Sequence, residues 1–131
     1  MRLARSAGAL ALVLTVSVAS VAQATTYRGA GVDDPRMAVK LKLRDGVVAF
    51  SYSDVLTECS NGDRLRYPGA RHSTMLKRSD RFKGTISHAG QTSTIRGRVR
   101  SRRASGTIHY RLSYAGGECD SGQVEWRAKV R

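Results

Sequence analysis

The sequence predicts an all-β protein, a two-sheet antiparallel β-sandwich of about seven to nine strands, with a flattened barrel as the second possibility. After residue 24, apolar residues recur at every second position in most segments, and this alternation is typical of strands that have one buried face. Turn-forming pairs such as Asp45-Gly46 and Asn61-Gly62 separate these segments. No segment after residue 24 has the periodicity of an amphipathic helix.

Residues 1–24 have the pattern of a secretory signal peptide. Two arginines precede an apolar run from about Ala7 to Val21, and Ala22-Gln23-Ala24 supplies the small residues that a signal peptidase requires. The run is shorter than a membrane-spanning helix, and no later segment is apolar over that length. We therefore expect an extracytoplasmic protein, secreted or periplasmic, that begins at Thr25 and has no membrane span.

Residues 25–131 are expected to form a single basic β-sandwich domain. Two of the 23 lysines and arginines precede residue 25 and all 10 acidic residues follow it, which leaves 21 basic residues, 10 acidic residues and a net charge of +11. A surface with this charge repels itself and attracts polyanions.

The chain has two cysteines, Cys59 and Cys119, and both lie in this domain. In an oxidising compartment, an isolated pair of cysteines is expected to form a disulfide. In the chain-entropy model, a loop of this span stabilises the fold by about 4 kcal/mol.

The first strands are predicted between Tyr27 and Tyr52. Tyr27 to Gly31 is expected to be a short edge strand. Ala38 to Tyr52 is the clearest hairpin, because Asp45-Gly46 suits a two-residue type I′ turn that pairs Leu41 with Phe50. Three basic residues of this hairpin are predicted on its solvated face: Lys40, Lys42 and Arg44.

A second hairpin is predicted from Val55 to Tyr67. A three-residue loop, Ser60-Asn61-Gly62, with Gly62 in a left-handed conformation as a G1 bulge, sets Cys59 on the side of Leu65 and Tyr67. This choice of loop places Cys59 on the buried face, where it is ready to form a cross-link.

The middle of the domain is less regular. Ala70 to Arg81 is expected to be a basic loop or an irregular strand. Phe82 to His88 alternates and is predicted to be a strand that ends at an Ala89-Gly90 turn, with His88 assigned to the core.

Ile95 to Arg131 contains the longest hairpin and the last strand. A four-residue loop, Ser101 to Ala104, pairs Ile95 with Tyr110 and Arg100 with Ser105. The last strand alternates around Trp126, and the aromatic residues expected in the core are Trp126, Tyr110 and Tyr114.

Arginines collect on the outward side of this region, where Glu125 is the one acidic residue nearby. Like charges that face each other across a sheet are destabilising, so the face is a candidate site for anions. The alternative interpretation is that arginine only keeps this face solvated. The predicted anion-binding residues are Arg96, Arg98, Arg100, Arg111 and Arg127. Glutamine at positions 96, 98 and 100 is expected to weaken binding to an anionic matrix more than glutamine at positions 40, 42 and 44. Aromatic residues do not interleave with these arginines, which argues against stacking on bases.

Other motifs favour structural roles. Asp120-Ser121-Gly122 has the order found at the nucleophile of chymotrypsin-like proteases, but Cys119 and Gln123 replace the flanking glycines and one small domain cannot position a triad. The three histidines lack metal-ligand spacing, and Asp33, Asp34 and Asp54 are expected to be solvated loop acids rather than a calcium site. No catalytic residue, metal ligand, cofactor or specific nucleic-acid motif is predicted.

The C-terminal region resembles a group of small secreted bacterial β-domain proteins of uncharacterised function. The likeness rests on Ala-Ser-Gly-Thr at residues 104–107, Cys-Asp-Ser-Gly at 119–122, and Val124 and Trp126 after them. It covers about the last 35 residues and the Cys59 segment. The resemblance implies a compact β domain and a Cys59–Cys119 bond, and it implies no activity.

These features predict a non-enzymatic binding module for anionic cell-surface or extracellular polymers. The alternative is a small disulfide-bonded inhibitor of an extracellular hydrolase, which would present a loop such as Lys77 to Arg81 or Ser101 to Ala104. The two functions differ in salt response, because polyanion binding weakens steeply with salt and a loop inserted in an enzyme cleft should persist.

Overall fold

A computed structural model describes residues 11–16 and 23–131. Most of the predicted signal peptide, residues 1–10 and 17–22, lies outside the described residues. Within them the regular structure consists of strands: β1 (Thr25–Gly31), β2 (Ala38–Arg44), β3 (Val47–Ser53), β4 (Val55–Cys59), β5 (Arg64–Tyr67), β6 (Ala70–Met75), β7 (Arg81–His88), β8 (Gln91–Arg100), β9 (Arg103–Tyr114) and β10 (Gly117–Val130). No helix long and apolar enough to cross a membrane occurs in this part of the chain.

Eight strands form one antiparallel path in the order β6-β3-β2-β1-β10-β9-β8-β7. Its two ends meet, because the Thr74 hydroxyl on β6 donates to the Lys83 carbonyl on β7 over 2.8 Å. The sheet is therefore nearly closed and barrel-shaped. This confirms the all-β class, and the contact between the two ends favours the flattened barrel over the two-sheet sandwich. The sequence could not separate these two architectures, because the alternation of buried and exposed residues along the strands is the same in both.

Two hairpins have the predicted register. Asp45 and Gly46 have φ angles of 50° and 74°, and Leu41 lies opposite Phe50. In the second hairpin Gly62 is left-handed with φ of 89°, and Thr57 lies opposite Leu65. Turn residues that require positive φ thus determined both registers correctly from local sequence.

The disulfide joins this second hairpin to the barrel. Cys59 on β4 lies directly opposite Cys119 on β10, with the Cα atoms 3.9 Å apart. Both residues are buried, as predicted for Cys59. Because β4 meets β10 at two register pairs only, the covalent bond is a main attachment of the β4–β5 hairpin.

Three strand predictions were wrong. β1 is not an edge strand, because it pairs with both β2 and β10. The irregular segment after Ala70 is a regular strand, β6, which pairs with β3 and raises the count to ten. The long hairpin turns through two residues rather than four, so Val99 lies opposite Ala104 and Ile95 opposite Ile108. This shift of two residues leaves each side chain on its predicted face.

The core is centred on Trp126, which is 1% exposed. The Phe50 ring centroid lies 4.9 Å and the Phe82 centroid 6.2 Å from that of Trp126. Tyr110 is also buried, as predicted, whereas Tyr114 is exposed because it ends β9 beside a turn. A Cβ at Gly97 would overlap the Phe82 ring, so glycine makes room for these aromatic residues.

The buried histidine is His72 on β6, not His88, which lies exposed beside the β7–β8 turn. The Nε2 atom of His72 lies 2.8 Å from the Ser93 hydroxyl, which also contacts the Tyr52 hydroxyl. Burial lowers the pKa of His72. The three side chains link β6, β8 and β3 across the interior near the junction of β6 and β7.

Candidate anion-binding surface

The outer face of the sheet carries a line of basic side chains that crosses the strands. Each member lies opposite the next on the neighbouring strand, except that Ser51 separates the last two. We call these residues the basic row, in order Arg100, Arg103, Lys129, Arg28, Lys40 and Arg71. Their neighbours along each strand point into the core, since successive residues of a strand face opposite sides.

The basic row is not neutralised by the protein. Within residues 23–131, none of its members lies within 4.0 Å of a carboxylate. The positive charges of Lys42 and Arg28 lower the pKa of Lys40, and Arg71 adds to this effect. The row is therefore a set of like charges held side by side by backbone pairing.

Two shallow depressions flank Arg28 on this face. Lys40, Ser51 and Arg71 line the first. The basic residues that line the second are Arg28, Arg98, Arg100, Arg103, Arg127, Lys129 and Arg131. Gly29 borders both, and a Cβ there would overlap the backbone of Arg127. Glycine thus allows a close approach of β1 to β10 where the two depressions meet.

The structure brings three of the five predicted residues to this surface. Arg100 belongs to the basic row, and Arg98 and Arg127 line the second depression beside it. Arg96 also points outward but lies opposite Lys83 on β7, and it lines a third hollow that adjoins the second depression at Arg98 and Ser105.

Arg111 is separated from the others by its own partners. Its guanidinium Nη2 donates to a Glu118 carboxylate oxygen over 2.7 Å, and its Nε lies 3.3 Å from Asp120. The hydrogen bond to Glu118 is the main cause that raises the pKa of Arg111. Arg111 is therefore paired with two carboxylates, unlike the members of the basic row.

The predicted anion-binding residues include one member of the basic row, Arg100, and two others, Arg103 and Lys129, lie in the same C-terminal region. Arg28, Lys40 and Arg71 come from strands far from the C-terminal hairpin, and β1 brings them next to it by pairing with β10. Lys40 was predicted on a separate solvated face that served as a control. The sequence holds no local signal for the β1–β10 pairing, so the position of these three residues beside the C-terminal hairpin could be found only from the three-dimensional structure.

The Asp120-Ser121-Gly122 segment forms a bulge inside β10, where the register to β9 shifts between Asp120 and Gln123. The Ser121 hydroxyl accepts the Tyr110 N–H over 2.9 Å and donates to the Gly122 carbonyl over 2.8 Å. His109 Nε2 lies 2.7 Å from an Asp120 carboxylate oxygen. Among the described residues, His109 makes no hydrogen bond to Ser121. The serine thus satisfies the backbone at the bulge.

Of the three loop acids that were expected to be solvated, Asp34 has a basic partner. Arg66 donates two hydrogen bonds of 3.0 Å to the Asp34 carboxylate and one of 2.7 Å to the Asp54 carbonyl. The hydrogen bond from Arg66 is the main cause that lowers the pKa of Asp34. No group of three metal-ligating side chains occurs among residues 11–16 and 23–131.

Fold and surface together define a small, basic, disulfide-bonded β-protein with one nearly closed sheet. Comparisons with protein-family models, with curated proteins and with solved structures find no match to this chain.

Proposed function

We propose that the protein is an extracytoplasmic, non-enzymatic binding module for anionic cell-surface or extracellular polymers, and that the basic row is its contact surface. One observation carries the proposal: six cationic side chains cross the sheet in register, and no carboxylate of residues 23–131 lies within 4.0 Å of them.

Backbone pairing forces these charges together, which opposes folding because like charges across a sheet repel. An anionic polymer would remove that repulsion, and each contact would release counterions from the polymer. Four arginines outside the row have a carboxylate within 4.0 Å: Arg44, Arg64, Arg66 and Arg111. Others in the described part of the chain, such as Arg36 and Arg78, have none. What supports a binding role is therefore the in-register arrangement of the six charges on neighbouring strands, and not the lack of partners alone.

The signal pattern in residues 1–24 and the Cys59–Cys119 disulfide support an extracytoplasmic location, since disulfides persist in oxidising compartments. There the partner would be a polymer of the cell envelope or of the surrounding medium.

The test is binding to a soluble anionic polymer as a function of salt. If all six members of the row make contact, at a slope of about −0.7 per contact, affinity should fall about 300-fold between about 50 and 200 mM salt. An affinity that barely changes over this range would contradict the proposal.

The alternative function, inhibition of an extracellular hydrolase, now rests on the Lys77–Arg81 loop. The Asp80 N–H donates to the Lys77 carbonyl over 2.9 Å, and the Asp80 carbonyl accepts the Val99 N–H over 2.9 Å, so this loop is held in one conformation. The other predicted loop is a two-residue turn at Ser101 and Arg102 and offers little to insert in a cleft. Complex formation with a hydrolase that survives high salt would favour this alternative.

A further inference from the structure

We infer that the ligand of the basic row is a linear polymer with closely spaced phosphate or sulfate groups, which lies across the strands rather than along them. This inference rests on the proposed function and adds the direction and the chemical class of the polymer.

The direction of the polymer follows from the side chains that it would contact along a strand and across the strands. A polymer that follows β1 passes from Arg28 to Thr26 or Ala30, which are uncharged. One that follows β10 passes from Lys129 and Arg127 to Glu125, which repels it. Two strands carry three basic residues each on the outer face, at 96, 98 and 100 on β8 and at 40, 42 and 44 on β2. Their charges are about 6.7 Å apart along the strand, because only every second residue faces outward. A polymer that crosses the strands meets more basic side chains at a closer spacing of about 4.8 Å, one at every step from β8 to β2 and another at β6.

The length of the contact follows from strand spacing. Neighbouring strands lie about 4.8 Å apart, so the path from Arg100 on β8 to Arg71 on β6 is about 29 Å along the surface. A polymer must therefore be about 29 Å long to reach all members of the row, and its charges must recur at intervals no wider than the strand spacing.

The chemical class follows from the side chains. Four of the six members are arginines, whose planar guanidinium groups bind phosphate and sulfate oxygens in pairs. The uncharged side chains between and beside the members include small ones such as Ser51, Ser105 and Ala38. The aromatic residue that lines the first depression, Tyr52, is only 4% exposed and offers no face on which a nucleobase could stack. A polymer of tetrahedral anions without bases fits this surface best.

The experiment measures the affinity of the protein for polyphosphate chains of graded length by calorimetry at about 50 mM salt. Dextran sulfate and polygalacturonate of matched length are the other two ligands. Affinity for polyphosphate should rise with chain length and level off once the extended chain reaches about 29 Å. Polygalacturonate, which carries carboxylates, should bind at least tenfold more weakly. A preference for polyphosphate or for dextran sulfate identifies which of the two anions the row recognises.

Two triple variants locate the site. The row variant replaces Arg28, Arg103 and Lys129 by glutamine. The control variant makes the same change at three exposed positions outside the row: Arg36, Arg64 and Arg78. Both lose three charges, and similar melting temperatures would show that both are folded. The row variant should reduce the salt slope by about 2 and the control variant should leave it nearly unchanged.

The outcomes separate the two levels of the proposal. No binding of any of the three polymers at low salt would overturn the proposed function itself, whereas binding of polygalacturonate alone would overturn only the chemical class. Binding that both triple variants weaken equally would keep a general attraction of polyanions but overturn the row as a site. If only the row variant loses affinity but the affinity levels off at a much shorter polyphosphate chain, the crossing direction is wrong. If only the row variant loses affinity but polygalacturonate binds as tightly as polyphosphate, the chemical class is wrong.

A charge-preserving variant tests the guanidinium groups. Arg28→Lys with Arg103→Lys keeps the net charge and the salt slope but removes paired hydrogen bonding to the anions. We expect a several-fold loss of affinity for polyphosphate and little loss for polygalacturonate. Equal losses for both ligands would show that the row acts through charge alone.

Discussion

Removal of the Cys59–Cys119 disulfide should destabilise the whole domain and should loosen one hairpin most. The bond links two residues that are 60 positions apart in the chain and face each other on β4 and β10. Beyond two register pairs, hydrogen bonds between Ser60 and Glu118 hold this end of the hairpin to β10. A double substitution, Cys59→Ala with Cys119→Ala, removes the bond without leaving a free thiol.

The magnitude follows from the length of the closed loop. In the chain-entropy model a loop of 60 residues stabilises the folded state by about 4 kcal/mol. For a domain of roughly 100 residues, each kcal/mol moves the melting temperature by about 4 °C or more. The double variant should therefore melt about 15 °C below the oxidised protein.

Calorimetry of the oxidised protein, the reduced protein and the double variant measures this difference. A reducing agent should lower the melting temperature of the parent protein and leave that of the double variant unchanged. Amide exchange should accelerate more on β4 than on β2 or β3, because β4 depends on the bond for its attachment. Two free thiols in the native protein, or a melting temperature that reduction does not move, would refute this reasoning.

Three further predictions concern other parts of the chain. Gly97→Ala should lower the free energy of unfolding by about 1–3 kcal/mol, and Gly106→Ala should lower it more. The reason is that the added Cβ at Gly106 overlaps the fixed backbone of Arg96, whereas that at Gly97 meets the side chain of Phe82. Urea unfolding measures both values, and equal losses would contradict this explanation. Burial lowers the pKa of His72 below the unfolded value of 6.5, so its contribution to stability is complete above that pH and is lost as pH falls below it; urea unfolding from pH 7 to about pH 5 should show a decline that the His72→Gln variant lacks. Exported protein should have the intact mass of residues 25–131, and retention of residues 1–24 would contradict the predicted cleavage.

Local turn chemistry explains why much of the fold was predictable. Asp45-Gly46 and the Ser60-Asn61-Gly62 loop contain residues that tolerate positive φ, and each therefore selects one loop length and one register. The turn after Arg100 contains no glycine or asparagine, and Ser101 itself adopts a φ of 52°. Residue preferences consequently favoured a longer loop. The predicted register was wrong by two residues rather than one, so each side chain of the hairpin was still assigned to the correct face of the sheet.

Non-local pairing explains what could not be predicted. The alternation in Tyr27 to Gly31 indicates a strand but contains no information on its neighbours, and its position between β2 and β10 completes the basic row. The same limit applies to His72, whose burial depends on the approach of β6 to β7 and on Ser93 from β8. In both cases the sequence indicates which face a residue occupies, and only the strand order decides which residues share that face.

The most direct test of the central claim is a titration of the ¹⁵N-labelled protein with polyphosphate, followed through its backbone amide resonances at low salt. We predict that the largest shifts occur in a line across seven strands, while the amides around Arg36, Arg64 and Arg78 change little. The shifted amides should be those of the basic row: Arg100, Arg103, Lys129, Arg28, Lys40 and Arg71. Shifts confined to the Lys77–Arg81 loop, or spread evenly over all basic residues, would contradict it.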